Sequence, residues 1–256
     1  MLNQHNVTVP GEVRVIPLLA LPELEEGDDL AGLLAAACVR VGGLEDGDVI
    51  VVAQKAVSKV EGRIVHLEEV EPSARAIELA GDEGDPRQVE VILRETVEVV
   101  RSRPPLVISR TSHGFVCASA GVDASNAKGP GTVILLPVDP DASAAALRAR
   151  LAELTGIAPG LIVSDSFGRA WRQGTTDVAL GVAGIGALRD LRGSRDTLGY
   201  ELRSTMIAVA DEIAGAAELV MGKANHVPAA IVRGVDARGD GRASDLVMPG
   251  ERDLFR

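Results

Sequence analysis

The chain has 256 residues, 26 basic against 37 acidic, and a formal net charge of -11 at pH 7. That field repels phosphate polymers and argues against a nucleic-acid or anionic-membrane partner. One Trp, one Tyr and three Phe are too few for a base-stacking platform.

The N-terminus, MLNQHNVTVPGEVRV, has neither the basic nor the apolar region of a secretory leader. No uncharged stretch approaches the roughly 18 residues a membrane helix needs, so a cytoplasmic protein is expected. Val13–Leu19 reads as a strand. Asp28 or Asp29 is placed to cap a helix running to about Val41, with Leu30, Leu33, Leu34 and Cys38 at helical spacing. Glu45–Asp48 is a turn, and Val49–Ala53 is a β-branched apolar run of the buried-strand type. Val89, Ile92, Leu93, Thr96, Val97 and Val100 predict one amphipathic helix over Pro86–Arg101. Strands are predicted at Pro105–Ser109, Thr132–Pro137 and Leu161–Ser164, and a helix at Ala142–Leu154, stopped by Gly156. Periodicity leaves Gly181–Gly186 open between strand and helix. A long Ala-rich helix is predicted over Thr205–Met221, stopped by Gly222, and a last strand at Ala229–Arg233. The elements mix without strict βαβ alternation, so the expected class is α+β, as one interlocked mixed-sheet unit over residues 1–256.

Familiar signatures fail. There is no GxxxxGK[ST], no HExxH and no CxxC, and Gly184-Ile185-Gly186 lacks the third glycine of a dinucleotide fingerprint. The run from Asp236 imitates a calcium loop but puts Arg238 and Val247 where carboxylates belong. Cys38 and Cys117 sit in apolar contexts and read as buried reduced thiols.

Three segments run from apolar residues into polar ones that a turn alone does not require. In the first, Val49–Ala53 empties into Gln54, Lys55, Ser58, Lys59 and Arg63. Such cations either hold phosphate oxygens or form a solvated rim. In the second, Asp123 and Asn126 follow Ala120-Gly121-Val122. They either present oxygens to one centre or make an Asx turn. In the third, Asp165 and Ser166 end a strand, and Arg169, Trp171 and Arg172 follow. Carboxylate and hydroxyl oxygens suit Mg²⁺ or Mn²⁺, and arginines fork onto phosphate or carboxylate. The dense mixture favours a metal-dependent site for an anionic small molecule over a structural Arg–Asp network.

Six blocks in order resemble the coenzyme F-420-0:L-glutamate ligase family, the γ-glutamyl ligases of deazaflavin coenzyme biosynthesis. They are Leu21–Leu24 with Glu26–Leu30, Asp46–Val49 through Ser58-Lys59 and Glu61–Arg63, Ala120–Asn126, Leu136–Asp141, Asp165–Arg169, and Val209–Ala214. The resemblance implies an intertwined homodimer. It also implies a GTP-dependent ligase that adds L-glutamate to the phospholactyl carboxylate of coenzyme F-420-0 through an acyl phosphate, with Mn²⁺ or Mg²⁺. On that footing Leu21, Pro22, Glu23 and Leu24 contact GTP, with Lys59, Asn126 and the segment Gly222, Lys223, Ala224, Asn225 and His226. Asp123 and Asp165 bind one divalent metal, and Ser166 stands on a second. Lys55, Lys59, Arg169 and Arg172 are candidate anion clamps; no general base is identified. Two positions depart from the pattern: Gln54 stands where some relatives have Ser, and Lys223 where many archaeal relatives have a metal-binding Glu. A fused flavin-binding domain is not expected. The rival readings are a metal-dependent GTP hydrolase or phosphatase, and a non-catalytic GTP-binding module.

Overall fold

A computed structural model describes residues 11–254. The reading of the leader rests largely on residues 1–10, which lie outside that range. In chain order the elements are β1 (Arg14–Pro17), α1 (Leu30–Arg40), β2 (Val49–Ala53), α2 (Gln54–Val60), β3 (Ile64–His66), α3 (Ala74–Ala80), α4 (Pro86–Arg94), β4 (Thr96–Arg103), β5 (Leu106–Thr111), β6 (Val116–Ala118), β7 (Thr132–Ile134), α5 (Pro140–Thr155), β8 (Gly160–Arg169), β9 (Arg172–Ala183), β10 (Arg189–Asp190), β11 (Met206–Ile207), α6 (Val209–Met221) and β12 (Ala229–Arg233). This is an α+β arrangement. No helix among the described residues is long and apolar enough to cross a membrane.

The central sheet has the order β1-β12-β2-β8-β9. Only β2 and β8 run parallel, with Val49 opposite Gly160 and Ala53 opposite Ser164. The apolar runs read as buried strands because both faces are covered. Ile50, Val52, Leu161, Val163 and Ile231 face the side packed by α1 and α5. Val49, Val51, Ile162, Ala230 and Val232 face α6. A third apolar cluster joins α3 and α4 to the β4-β5-β6 sheet through Ala76, Leu79, Val89, Ile92 and Val107.

Local chemistry sets the helix ends. Asp29 accepts a hydrogen bond from the Gly32 N–H at 3.0 Å and caps α1. Asp139 does the same for α5, with Pro140 in its first turn and Gly156 in a left-handed conformation at its end.

The predicted helix Pro86–Arg101 is two elements. α4 ends at Arg94, and Thr96–Arg103 is a strand paired with β5. Thr96, Val97, Val99 and Val100 are β-branched, so they lose little as a strand and would lose χ1 freedom as a helix. The predicted helix Thr205–Met221 begins only at Val209, because Met206 and Ile207 pair with β10. The strand predicted at Leu161–Ser164 continues to Arg169 and turns back as β9. The glycine-rich stretch therefore resolves as strand through Ala183. Gly181 is required there: a Cβ would lie 2.1 Å from the Pro140 carbonyl oxygen at the start of α5.

Candidate functional site

The parallel pair β2 and β8 places its carboxyl ends side by side, the usual position for a ligand site in such sheets. From β2 the chain passes directly into α2, which carries Gln54, Lys55, Ser58 and Lys59. From β8 it passes through Ser164, Asp165 and Ser166 into an outward-running hairpin. The loop after α6 closes the third side. Gly222 ends that helix at φ +58, and a Cβ there would meet Asn225 Nδ2 at 2.4 Å.

These segments enclose a cleft of about 540 Å³. Its walls include Leu21, Pro22, Glu23, Leu24, Lys59, Asn126, Gly222, Lys223, Ala224 and His226. Ten of the eleven residues expected around a nucleotide thus share one cleft; Asn225 instead packs against Gly222 within the closing turn. Lys59 is buried and pairs with Glu23, tying α2 to the loop before α1. Lys128, not singled out in the sequence, joins the cleft wall and pairs with Glu25. Asn126 takes a left-handed backbone, which Asn tolerates, and its side-chain amide donates to the Lys223 carbonyl at 3.4 Å.

A smaller pocket of about 90 Å³ opens beside the cleft and shares Ala53, Lys55, Asn126, Gly222 and Lys223 with it. Its floor is acidic, with Asp165, Asp177 and Glu218, and Ser164 and Ser166 add hydroxyls. Asp177 lies opposite Ser166 in the β8–β9 ladder and accepts from the Ser164 hydroxyl at 2.8 Å. Asp123 lines neither space itself but meets two lysines that line both. Lys55 Nζ donates to Asp123 Oδ2 at 2.6 Å, and Lys223 Nζ lies 3.8 Å from the same oxygen. The Ser125 N–H donates to Asp123 Oδ1 at 2.7 Å, which is the Asx-type geometry allowed for in the sequence. That turn aims the carboxylate rather than merely closing a loop.

Electrostatics divide the acids. Burial works against the charge of Asp123, but the Lys55 ammonium and the Ser125 donors outweigh it and hold the carboxyl below its usual range. Burial pushes Asp165 up to about 6, with repulsion from Asp177 and Asp123 added and Lys55 opposing. Burial likewise pushes Asp177 up to about 6, with the Ser164 hydroxyl opposing and Glu218 adding repulsion. The carboxylates are oxygen donors, they repel one another, and they lie beside a cleft. That donor chemistry suits a hard divalent cation. Among the described residues, no three His, Cys, Asp or Glu side chains converge as a ready-made cage; in this structure ammonium groups face the acids.

The sequence did not single out Glu218 or assign a role to Asp177. Glu218 comes from α6, and only folding brings it to β8 and β9. Arg169 and Arg172 do not line either space; both are exposed at the hairpin tip. Cys38 and Cys117 are free and buried, and burial raises their thiols to about 11 and about 12, so neither serves as a thiolate nucleophile.

Comparison with known proteins matches residues 19–234 to a family model described as F420-0:Gamma-glutamyl ligase. A protein of Methanopyrus kandleri named coenzyme F420:L-glutamate ligase is 46% identical over 251 residues, covering 95% of this chain and 98% of the relative. One of the same name from Methanothermobacter thermautotrophicus is 45% identical over 251 residues, covering 95% and 99%. Another, from Archaeoglobus fulgidus, is 44% identical over 246 residues, covering 95% and 96%.

Proposed function

The chain belongs to the F420-0:gamma-glutamyl ligase family, and from that premise we propose that it joins L-glutamate to the phospholactyl carboxylate of coenzyme F-420-0, using GTP and a divalent metal. The observation that carries this reading is the continuity of the two spaces. A cleft sized for a nucleotide opens, through the shared Lys55, Asn126 and Lys223, into a pocket of acids.

GTP occupies the cleft, with its base and ribose against Leu21, Pro22, Glu23 and Leu24 and its phosphates toward Lys59, Asn126 and the Gly222–His226 turn. Asp123 and Asp165 would hold one divalent ion, Mn²⁺ or Mg²⁺, and Ser166 would stand on a second; bound there, the ions would supply positive charge against the phosphates. Lys55 leaves its pairing with Asp123 and follows the terminal phosphate as a second point charge. Lys223, beside Asp123 and facing Asp177, contributes a fixed positive charge where many archaeal relatives have a Glu.

The acceptor carboxylate attacks the terminal phosphate of GTP and GDP leaves. The resulting acyl phosphate is open to the amine of glutamate, and phosphate departs as the amide forms. The chain's own residues position and neutralise three anionic partners in one place, worth several orders of magnitude in effective concentration. The protein works in the cytoplasm as a homodimer.

The test is a mass-spectrometric assay with coenzyme F-420-0, GTP, Mn²⁺ and glutamate. A product heavier by one glutamate residue, with one GDP per bond and no product when glutamate is withheld, is expected. GTP turnover indifferent to glutamate would make the protein a hydrolase. Binding without turnover would make it a nucleotide-binding module.

A further inference from the structure

A separate cavity, of about 830 Å³, opens at the other end of the central sheet. Val49 and Gly160, the first residues of β2 and β8, line it. Ala53 and Ser164, their counterparts at the far end of the same parallel pair, line the acid pocket. At the rise of a strand the two ends are about 13 Å apart. The cavity has no residue in common with the cleft or the acid pocket, and the ligation chemistry uses nothing at this end.

Two charges on its wall are positioned but unanswered. Arg148, from α5, donates from Nε to the Pro159 carbonyl at 2.9 Å. Its guanidinium lies against Gly184, where a Cβ would stand 2.2 Å from that nitrogen and where φ is +72, so only glycine serves. The bond and the glycine fix the fork, which costs side-chain freedom. Yet among the described residues neither Nη group has a partner, and Arg148 is in no ion pair, in a chain of net charge -11. Asp240 lines the same cavity from the segment after β12. That segment is tied to the chain beyond β9 on both sides of Asp240. The Gly186 N–H donates to the Ala237 carbonyl at 2.7 Å, and the Gly241 N–H to the Ile185 carbonyl at 2.8 Å. The Asp240 carboxylate has no partner among the described residues either. The remaining charges of the wall, Arg238 and Asp46, satisfy each other at 2.7 Å. Val49, Ile157, Ala158, Ile185 and Ala237 give the wall its apolar part. A cation and an acid held on one cavity without meeting call for a ligand that carries both opposite charges.

We propose that this cavity binds a small zwitterion with an apolar body, a free amino acid or a short peptide, its carboxylate forked by Arg148 and its ammonium held by Asp240. A guanidinium whose Nε is already engaged still offers its two Nη groups to a carboxylate. The apolar wall covers the side chain, and the volume is within the roughly 300–1,000 Å³ of small-molecule sites. The site is separate from the ligation chemistry and stands or falls independently of it.

Calorimetric titration of the full chain, in the assembly it forms in solution, tests this with L-leucine and with leucyl-leucine; the tighter of the two says whether the source is an amino acid or a peptide. Two half-molecules serve as controls: 4-methylpentanoate, which is leucine without its amine, and 3-methylbutylamine, which is leucine without its carboxylate. The better zwitterion should bind about ten-fold or more tightly than either, the scale of one lost hydrogen bond to a charged group. Its Kd should be the same with and without GTP. Arg148→Gln should weaken it by about ten-fold or more. Because Arg148 also ties α5 to Pro159, the exposed Asp240 supplies the independent variant. Asp240→Asn should weaken the zwitterion by about ten-fold and leave 4-methylpentanoate within about two-fold. Absence of binding by both zwitterions, as when a second copy covers the mouth, would overturn the proposal. So would 4-methylpentanoate binding as tightly as the zwitterion, undiminished binding to Asp240→Asn, or competition with GTP.

Discussion

Lys55→Met isolates the group that ties the two spaces together. The methionine keeps the length and apolar stem of the lysine and removes only the ammonium. In the native protein that ammonium is 2.6 Å from Asp123 Oδ2, with the two side chains 15% and 33% exposed. Two unit charges about 4 Å apart near a protein surface attract by about 4 kcal/mol before desolvation is subtracted. Asp123 is a third open to water, so the net loss on removing its partner should be about 1–3 kcal/mol. In a chain of this size that lowers Tm by roughly 2–10 °C. The charge argument makes a second demand. Lys55 also opposes the upward shift of Asp165, so without it the acids repel more strongly and a divalent cation relieves more. Thermal unfolding at pH 7.5, with and without Mn²⁺, reads both effects: the variant should melt lower without metal and gain more from Mn²⁺ than the wild type does. KM for GTP should rise as well. An unchanged melting point together with the same Mn²⁺ response in both proteins would show that Lys55 is a surface ammonium that happens to touch Asp123.

Asp165→Asn and Asp123→Ala should each abolish ligation with the fold intact. The double variant should lose Mn²⁺-dependent GTP binding hardly further than either alone, because ligands of one ion act as a unit; additive losses would assign them to separate centres. Asp177→Asn tests the raised carboxyl. The stability of its neutral form is complete below about 3.8 and is lost as pH climbs through about 6. The amide should therefore stabilise the metal-free protein by on the order of 3 kcal/mol at pH 7.5 and by nothing measurable near pH 4, and denaturant curves with the same gain at both pH values would contradict it. Lys223→Glu, reversing the charge 3.8 Å from Asp123, should strengthen Mn²⁺ binding and make GTP binding depend on Mn²⁺ more steeply; calorimetric titrations identical to wild type would leave Lys223 as a helix-end charge. Far from the site, Asp48→Ala should cost about 1–3 kcal/mol, because Arg233 loses the two donations its Nε and Nη2 make to the buried Asp48 at 2.8 Å and keeps only Glu45 and the Gly43 carbonyl. KM values should not move, and a loss under 1 kcal/mol in urea unfolding would mean the pair is dispensable.

What the sequence could and could not announce follows from the range of the forces involved. β2 and β12 were legible because they are short apolar runs with β-branched residues, too short for an ordinary buried helix. α1 and α5 were legible because their caps are within three residues of the groups they satisfy. β4 was not, since Thr96–Val100 fits helix and strand spacing alike and only pairing with β5 decides. β9 was hidden for the opposite reason: its outer part, residues 172–175, is exposed and has no apolar residue, and it is a strand because β8 continues beside it. The site divides in the same way. Asp123, Asn126, Asp165 and Ser166 stand where apolar runs break into polar ones, which is a local signal. The contacts that give them their chemistry are not local. Lys55 meets Asp123 across 68 residues, and Glu218 reaches Asp177 only because α6 packs against β9. A motif can therefore name the donors of a site while remaining silent on the charges that tune them, and here those charges, two ammoniums against at least three repelling carboxylates, decide how much a divalent ion has left to neutralise.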